Sequence, residues 1–303
     1  MIDLLRKQAE SLGFIAVGFS RPEEPPHFDE LVTWVSQKKH AGMSWLERHM
    51  DVRRDPEKLL KGCTTIISLA YPYPSEKPST TDGYTVSRYA HPAKRDYHHR
   101  LKGLCRKLAE VVETASPGSR TKICIDTAPI LERSIAWKAG IGFLGKNNML
   151  ILPGHGSYFY LAEILCTAAT PWEPTQPMES RCGACTLCVE ACPTGALEAP
   201  FSLDAGRCLS YLTVEYEGAV HADTGKRMGH CFFGCDRCQE ACPFNEGKSD
   251  TEISLPSTDG FLRMEGGTFK ERFGKTALSR RGLEKIQTNI RAIRKGGSGL
   301  LEM

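Results

Sequence analysis

The chain has 303 residues, 41% of them hydrophobic, with a formal net charge of +3, enough to bury one large or two ordinary domains. No apolar run approaches the roughly 20 residues that span a bilayer, and the opening MIDLLRKQAESLGF reads as an amphipathic helix, not a signal peptide; a soluble, cytoplasmic protein with no membrane partner is expected. Thirteen cysteines in that reducing compartment are not expected to form disulfides, and nine of them lie between Cys182 and Cys242, where metal binding or redox chemistry is the expected use.

After the opening helix, TTIISLAY (64–71) reads as a strand. YPYPSEKPSTTDG then breaks the pattern as a long loop. Tyr97, Leu101, Leu104, Leu108, Val111 and Val112 recur at helical spacing. TKICID (121–126) is a strand, APILERSIAWKAG a helix with proline near its first turn and glycine at its stop, and MLILP (149–153) and SYFYLAEIL (157–165) are further strands. Strands interleaved with amphipathic helices predict an α/β or α+β domain over residues 1–169. The proline-rich TPWEPTQPMESR gives a linker, 170–181. A cysteine-dense region, 182–250, and a C-terminal segment, 251–303, follow. Residues 263–295 hold ten Lys/Arg against three Glu, a charge of +7 that leaves −4 for the remainder; this asymmetry suits either a nucleic-acid contact or a solvated helix face.

AGIGFLGKNN carries G-x-G-x-x-G at Gly140, Gly142 and Gly145. The dinucleotide fingerprint requires a strand before the glycines and a helix after them, so that a helix N-terminus meets the pyrophosphate. Here a helix precedes and a strand follows, which argues against a dinucleotide.

The cysteine runs are more specific. CGACTLCVEACP places Cys182, Cys185, Cys188 and Cys192 in the spacing C-x2-C-x2-C-x3-C-P, in which three thiolates bind one 4Fe-4S cube and the fourth binds a second. Zinc, which prefers separated pairs of ligands, suits this run poorly. The second run ends in Cys235-x2-Cys238-x3-Cys242-Pro243, with Phe232 where a further cysteine would stand. If the runs exchange their last cysteines, Cys182, Cys185, Cys188 and Cys242 hold one cluster, and Cys192, Cys235, Cys238 and a fourth residue hold the other. Cys231 and Cys208 are the candidates for that fourth ligand; Cys208 is preferred, because Cys231 lies only four residues before Cys235. Cys63, Cys105, Cys124 and Cys166, among apolar neighbours, read as buried structural thiols.

IDTAPILERSIAWKAGIGFLGKNNMLILPGHGSYFYLAEIL, followed by CGACTLCVEACPTGAL, CLSYLTVE and GCDRCQEACPFN, resembles the epoxyqueuosine reductases, cobalamin-dependent iron-sulfur enzymes of tRNA queuosine synthesis. WLERHMDVRRDPEKLL and YAHPAKRDYHHRL, a slightly lengthened form of a family segment, extend the resemblance over about residues 1–295. It implies an α/β (α+β) cobalamin-binding catalytic domain, a ferredoxin-like domain with two 4Fe-4S clusters, and a short basic helical tail. It also implies a monomeric oxidoreductase with a corrinoid (cobalamin, B12) bound between its domains, GIGFLGKN lining the corrinoid site, and a flavodoxin- or ferredoxin-like electron donor.

The substrate implied is tRNA carrying epoxyqueuosine at the wobble position. The Asp of the family's Asp-Thr-x-Pro motif matches Asp126, implying a proton donor, where the sequence by itself reads a helix cap; burial beside an apolar corrin face is expected to keep this acid protonated. Further cobalamin contacts carried over are Arg53, Lys146, Asn147, Leu150, Ser157, Ser210 and Thr213. Plainer readings are a surface charge for Arg53, turn residues after Gly145 for Lys146 and Asn147, and hydroxyls on a helix surface for Ser210 and Thr213. In ALSRRGLEKIQTNIRAIRK, Leu283, Ile286, Ile290 and Ile293 form one helical stripe, and Arg280, Arg281, Lys285, Arg291 and Arg294 surround it as expected tRNA-phosphate contacts. Family members commonly continue into a helical-repeat domain that helps hold tRNA, and this chain stops near where it would begin. A reductive-dehalogenase-like enzyme and a non-enzymatic ferredoxin-type carrier are the alternatives; the first would carry a twin-arginine signal, and the second leaves DTAPILER and GIGFLGKN unexplained.

Overall fold

Each of the two units of the chain is built from two stretches far apart in sequence: Met1–Tyr73 with His98–Ala184, and Pro74–Tyr97 with Cys185–Met303. The computed structural model describes residues 1–74, 76–92, 95–169, 172–247 and 250–297; the first two residues of the 170–181 linker and the last six of the C-terminal segment lie outside the described residues.

The first unit centres on a four-stranded antiparallel sheet in the order Ala16–Ser20, Thr65–Pro72, Phe159–Cys166, Thr121–Cys124. The two central strands are apolar almost throughout because both faces are covered, which explains why they read as continuous runs and not as alternating ones. The short helix Glu132–Lys138 packs on one face. Its Ile135 joins Ile66, Cys124, Ile130 and Leu165 in one apolar cluster, and its Ala136 joins Ala70, Ile141, Leu150 and Phe159 in another. One position in this sheet breaks the pattern. Glu163, in the middle of Phe159–Cys166, pairs with Ser68 on one side and Cys124 on the other.

The helix Tyr97–Ala115 buries Leu101, Leu108 and Val112 of the predicted stripe together with Cys105 and Ala109, while Tyr97, Leu104 and Val111 are half-buried. Cys63, Cys105, Cys124 and Cys166 are buried, and burial pushes the first three thiols up to about 11, 12 and 12.

In the second unit, part of the stretch read as a long loop is a strand. Lys77–Thr80 and Thr85–Val86 form an antiparallel pair, flanked in parallel by Thr251–Leu255 and Cys231–Phe233. Proline and serine disguised the first strand, which has only four residues and lies buried between two others. Phe232, Phe233, Phe261, Phe269, Phe273, Leu278, Ile286 and Ile290 fill the core.

The expected basic tail is therefore part of that core. The helix Gly282–Gly297 turns Ile286, Ile290 and Ile293 inward along with Asn289, whose amide donates to the Thr213 and Phe232 carbonyls at 2.9 Å each. Among the described residues no helix is long and apolar enough to cross a membrane.

Candidate functional site

Asp126 ends the strand Thr121–Cys124 by turning into a left-handed conformation, φ 55°, which a non-glycine residue adopts only when its surroundings impose it. The helix downstream begins at Glu132 with Leu131 at its cap, so Asp126 does not cap it. The Asp126 N–H instead donates to Glu132 Oε1 at 2.5 Å. Its carboxyl is half exposed (50%), and Oδ2 lies 3.1 Å from Nε2 of His98. The structure thus gives Asp126 a titratable neighbour on either side, where the sequence reading looked to burial alone. Burial and, next, the Asp126 carboxyl push Glu132 up, and burial followed by Glu132 pushes Glu163 well up. The sequence reading passed over His98, Glu132 and Glu163; a lone acid inside SYFYLAEIL was the available signal for the last.

The glycine segment forms a hairpin of Phe143–Leu144 with Leu150–Ile151. A Cβ on Gly142 (φ +63°) would stand 2.2 Å from the Ile151 carbonyl oxygen, and one on Gly140 would stand 2.4 Å from Thr175 Cγ2. These glycines are required by the chain's own close approach, whereas the sequence reading ascribed them to an approaching corrinoid.

The residues carried over as corrinoid contacts differ in their surroundings. Arg53 is buried, its pKa is lowered by that burial, and its Nε has no hydrogen-bond partner among the described residues. Lys146 Nζ donates to the Gly183 carbonyl at 2.6 Å. Asn147 Oδ1 accepts from the Met149 N–H at 3.1 Å. Ser157 is buried, and Leu150 belongs to an apolar cluster of the first unit. In the second unit Ser210 is half-buried at the start of the π-helical turn Tyr211–Glu215. Thr213, expected on a helix surface, is 0% exposed. Its hydroxyl donates to the Leu209 carbonyl (2.6 Å) and accepts from the Gly234 N–H (3.0 Å), so it is spent on holding that turn.

Within the second unit, Cys188 lies on the helix Leu187–Glu190, which packs against Arg237–Glu240, the helix carrying Cys238. Burial, followed by Cys235 and Cys208, raises the Cys238 thiol; Cys188 adds to the same effect. Burial raises Cys235 to about 12, with Cys231 and Cys208 contributing, and Cys208 feels Cys192. Burial opposes ionisation at Cys192 too, but N–H groups of Leu197, Thr194 and Ala196 bring its pKa down. Crowded, partly buried thiols that repel one another as thiolates need a cationic centre to share, which is the chemistry of an iron-sulfur site. Cys231, besides acting on Cys235, has its Sγ 3.5 Å from the Gly234 carbonyl, and the opposite charge acting on it is Lys77, itself paired to Glu240 at 2.5 Å and Asp236 at 3.8 Å.

Of the five basic residues expected to face phosphate, Arg291 is exposed. Arg280 pairs with Asp96 (3.1 Å), Arg281 with Glu215 (2.9 Å) and Arg294 with Asp259 (2.7 Å). Lys285 departs from the expectation: it is 8% exposed, its Nζ donates to the Gly218 carbonyl at 3.0 Å over the Tyr216 ring, and burial, then Arg281, lowers its pKa to about 8.

A family described as a 4Fe-4S double cluster binding domain matches residues 181–245. Together with the mixed α/β fold, these motifs define an iron-sulfur oxidoreductase. Residues 53–127 match the epoxyqueuosine reductase QueG family. The epoxyqueuosine reductase of Leadbetterella byssophila is 32% identical over 302 residues, covering 96% of this chain and 97% of its own. A crystal structure of epoxyqueuosine reductase with an epoxyqueuosine-modified tRNA-Tyr stem loop superposes with a TM-score of 0.87 at 34% identity, covering 99% of this chain and 83% of that one. The Bacillus subtilis epoxyqueuosine reductase, in a structure with its catalytic aspartate loop swung out of the active site, gives 0.87 at 33% identity with the same coverage. The chain belongs to the epoxyqueuosine reductase family.

Proposed function

We propose that the chain reduces epoxyqueuosine to queuosine at the tRNA wobble position, with cobalamin and two 4Fe-4S clusters as cofactors and Asp126 as proton donor. The observation that carries the reading is Asp126 itself, held in a left-handed turn by Glu132 with its carboxyl half exposed beside His98. The reaction adds two electrons and two protons to the epoxide, breaks both carbon–oxygen bonds, and leaves an alkene and water. Asp126 gives one proton to the departing oxygen and becomes a carboxylate, and the second proton comes from solvent.

Cobalamin, when bound, supplies a strongly reducing, nucleophilic cobalt beside the epoxide. Cys182, Cys185, Cys188 and Cys242 would hold one cluster and Cys192, Cys208, Cys235 and Cys238 the other, and the clusters would supply electrons singly. The unpartnered buried guanidinium nitrogen of Arg53 suits a polar corrinoid side chain. Lys146, Asn147 and Ser157 of the first unit and Ser210 of the second provide further donors, and Leu150 and Thr213 complete the set carried over for the corrinoid. Arg280, Arg281, Arg291 and Arg294 offer cationic groups for tRNA phosphate. The relative crystallised with a modified tRNA stem loop supports that substrate, and the relative with a mobile aspartate loop supports the assignment of Asp126 to the corresponding loop. In single-turnover assays Asp126→Asn is expected to retain corrinoid and both clusters and to lose about 10²–10⁴-fold in rate; near-native turnover would assign the proton to another group.

A further inference from the structure

We propose that Lys77 is a positioning residue for electron transfer: bound to Asp236 and Glu240, it fixes a positive charge on the loop of Cys235 and Cys238 and raises the reduction potential of the cluster they hold. The inference rests on the assignment of two clusters to the cysteine runs. Lys77 opens the strand Lys77–Thr80 and is 9% exposed, with its N–H donating to the Asp250 carbonyl at 2.8 Å. Its Nζ lies 2.5 Å from Glu240 Oε1 and 3.8 Å from Asp236 Oδ2. Both acids belong to CDRCQEAC, residues 235–242. Asp236 stands at the N-cap of the helix Arg237–Glu240, yet its side chain does not cap that helix. Buried at 3% exposure, the carboxyl turns to Lys77 instead and accepts the Arg88 N–H at 2.9 Å.

The first cysteine run supplies the comparison. In CTLCVEAC, residues 185–192, Thr186 stands where the second run has Asp236, and Glu190 where it has Glu240. The Thr186 hydroxyl donates to Glu190 Oε1, so a neutral donor within the run satisfies that acid. The two runs therefore share their cysteine spacing and differ in their charge. The second carries an additional buried acid and takes a compensating ammonium from a strand far away in sequence. Burial opposes the charge on Lys77, but Cys231, Asp236 and Glu240 outweigh it and its pKa is raised. Without that ammonium, Asp236 and Glu240 would add negative charge to an already anionic cluster and oppose an arriving electron; with it, the surroundings are balanced and reduction is easier. Cys231, the alternative fourth ligand, also feels Lys77, so the inference holds for either ligand set.

The test is a reductive titration of the cluster-reconstituted full chain followed by electron paramagnetic resonance, in native form and as Lys77→Met, Lys77→Arg and Asp236→Asn. Cys235→Ala identifies which reduction step belongs to the second cluster. Lys77→Met is expected to lower the equilibrium constant of that step about tenfold, or ~59 mV for one electron, the scale of one charge acting through a protein interior, and to move the other step less. Lys77→Arg keeps the charge and should keep the native step. Asp236→Asn keeps an acceptor for the Arg88 N–H but removes a negative charge, and should raise the same step by a similar factor. Opposite shifts from opposite charges are a signature that a merely structural role does not produce. A step unmoved in either Lys77→Met or Asp236→Asn, or displaced in the same direction by both, would overturn the inference. Should Lys77→Met lose the second cluster, Asp236→Asn decides alone, a raised step supporting the inference and an unmoved or lowered one overturning it. A native chain with about four irons and a single reduction step would instead overturn the two-cluster reading.

Discussion

Replacing Cys208 by alanine separates the two candidate ligand sets for the second cluster. Cys208 lies in the electrostatic reach of Cys192, Cys235 and Cys238, whereas Cys231 reaches Cys235 but also sits against backbone carbonyls and Lys77. Two full cubes correspond to about eight iron atoms per chain, and loss of one cube leaves about four. Anaerobically reconstituted Cys208→Ala is therefore expected to bind about four irons, with acid-labile sulfide falling in step, and Cys231→Ala about eight. Because Cys208 is half-buried and lies outside the phenylalanine core, its removal leaves three thiolates without a complete cage while the fold of that core stays intact. Far-ultraviolet circular dichroism of the same samples separates a lost cluster from a lost fold. About four irons in Cys231→Ala and about eight in Cys208→Ala would refute the assignment.

Asn289→Leu strips donors from the buried Thr213 and Phe232 carbonyls and is expected to cost about 3 kcal/mol, read from the denaturant midpoint. Lys285 has a depressed pKa in the folded chain, so the unfolded chain binds its proton more tightly. Stability relative to Lys285→Met is accordingly lowest below pH 8 and should rise between about pH 8 and 10.5 by up to about 1.4 kcal/mol per unit; a flat difference across that window in denaturant titrations would contradict the burial. Arg291→Gln should weaken tRNA binding and lower the slope of log K against log salt by roughly one unit, while Lys285→Met should leave the slope unchanged.

The parts of the molecule that follow a period were legible in sequence. Leu101, Leu108 and Val112 of the helical stripe and the run Thr65–Pro72 are set by local patterning and appear where that patterning puts them. The strand Lys77–Thr80 was hidden, because partners that lie more than 150 residues away in sequence, such as Thr251–Leu255, override a poor local propensity. The C-terminal helix shows the opposite limit. Its apolar stripe was visible, but Lys285 has a long enough apolar stem to follow that stripe inward, which charge alone does not reveal. The cysteine motifs carried their chemistry openly because ligand spacing is local. The surroundings of Asp126 did not, since His98, Glu132 and Glu163 come from two helices and a strand that only the sheet brings together.

The most direct test of the account is nucleoside mass spectrometry of epoxyqueuosine-containing tRNA after anaerobic incubation with the cobalamin-loaded, cluster-reconstituted chain and a strong reductant. Conversion to queuosine, with loss of one oxygen, is the predicted result. Unchanged epoxyqueuosine, despite bound corrinoid and full clusters, would contradict it.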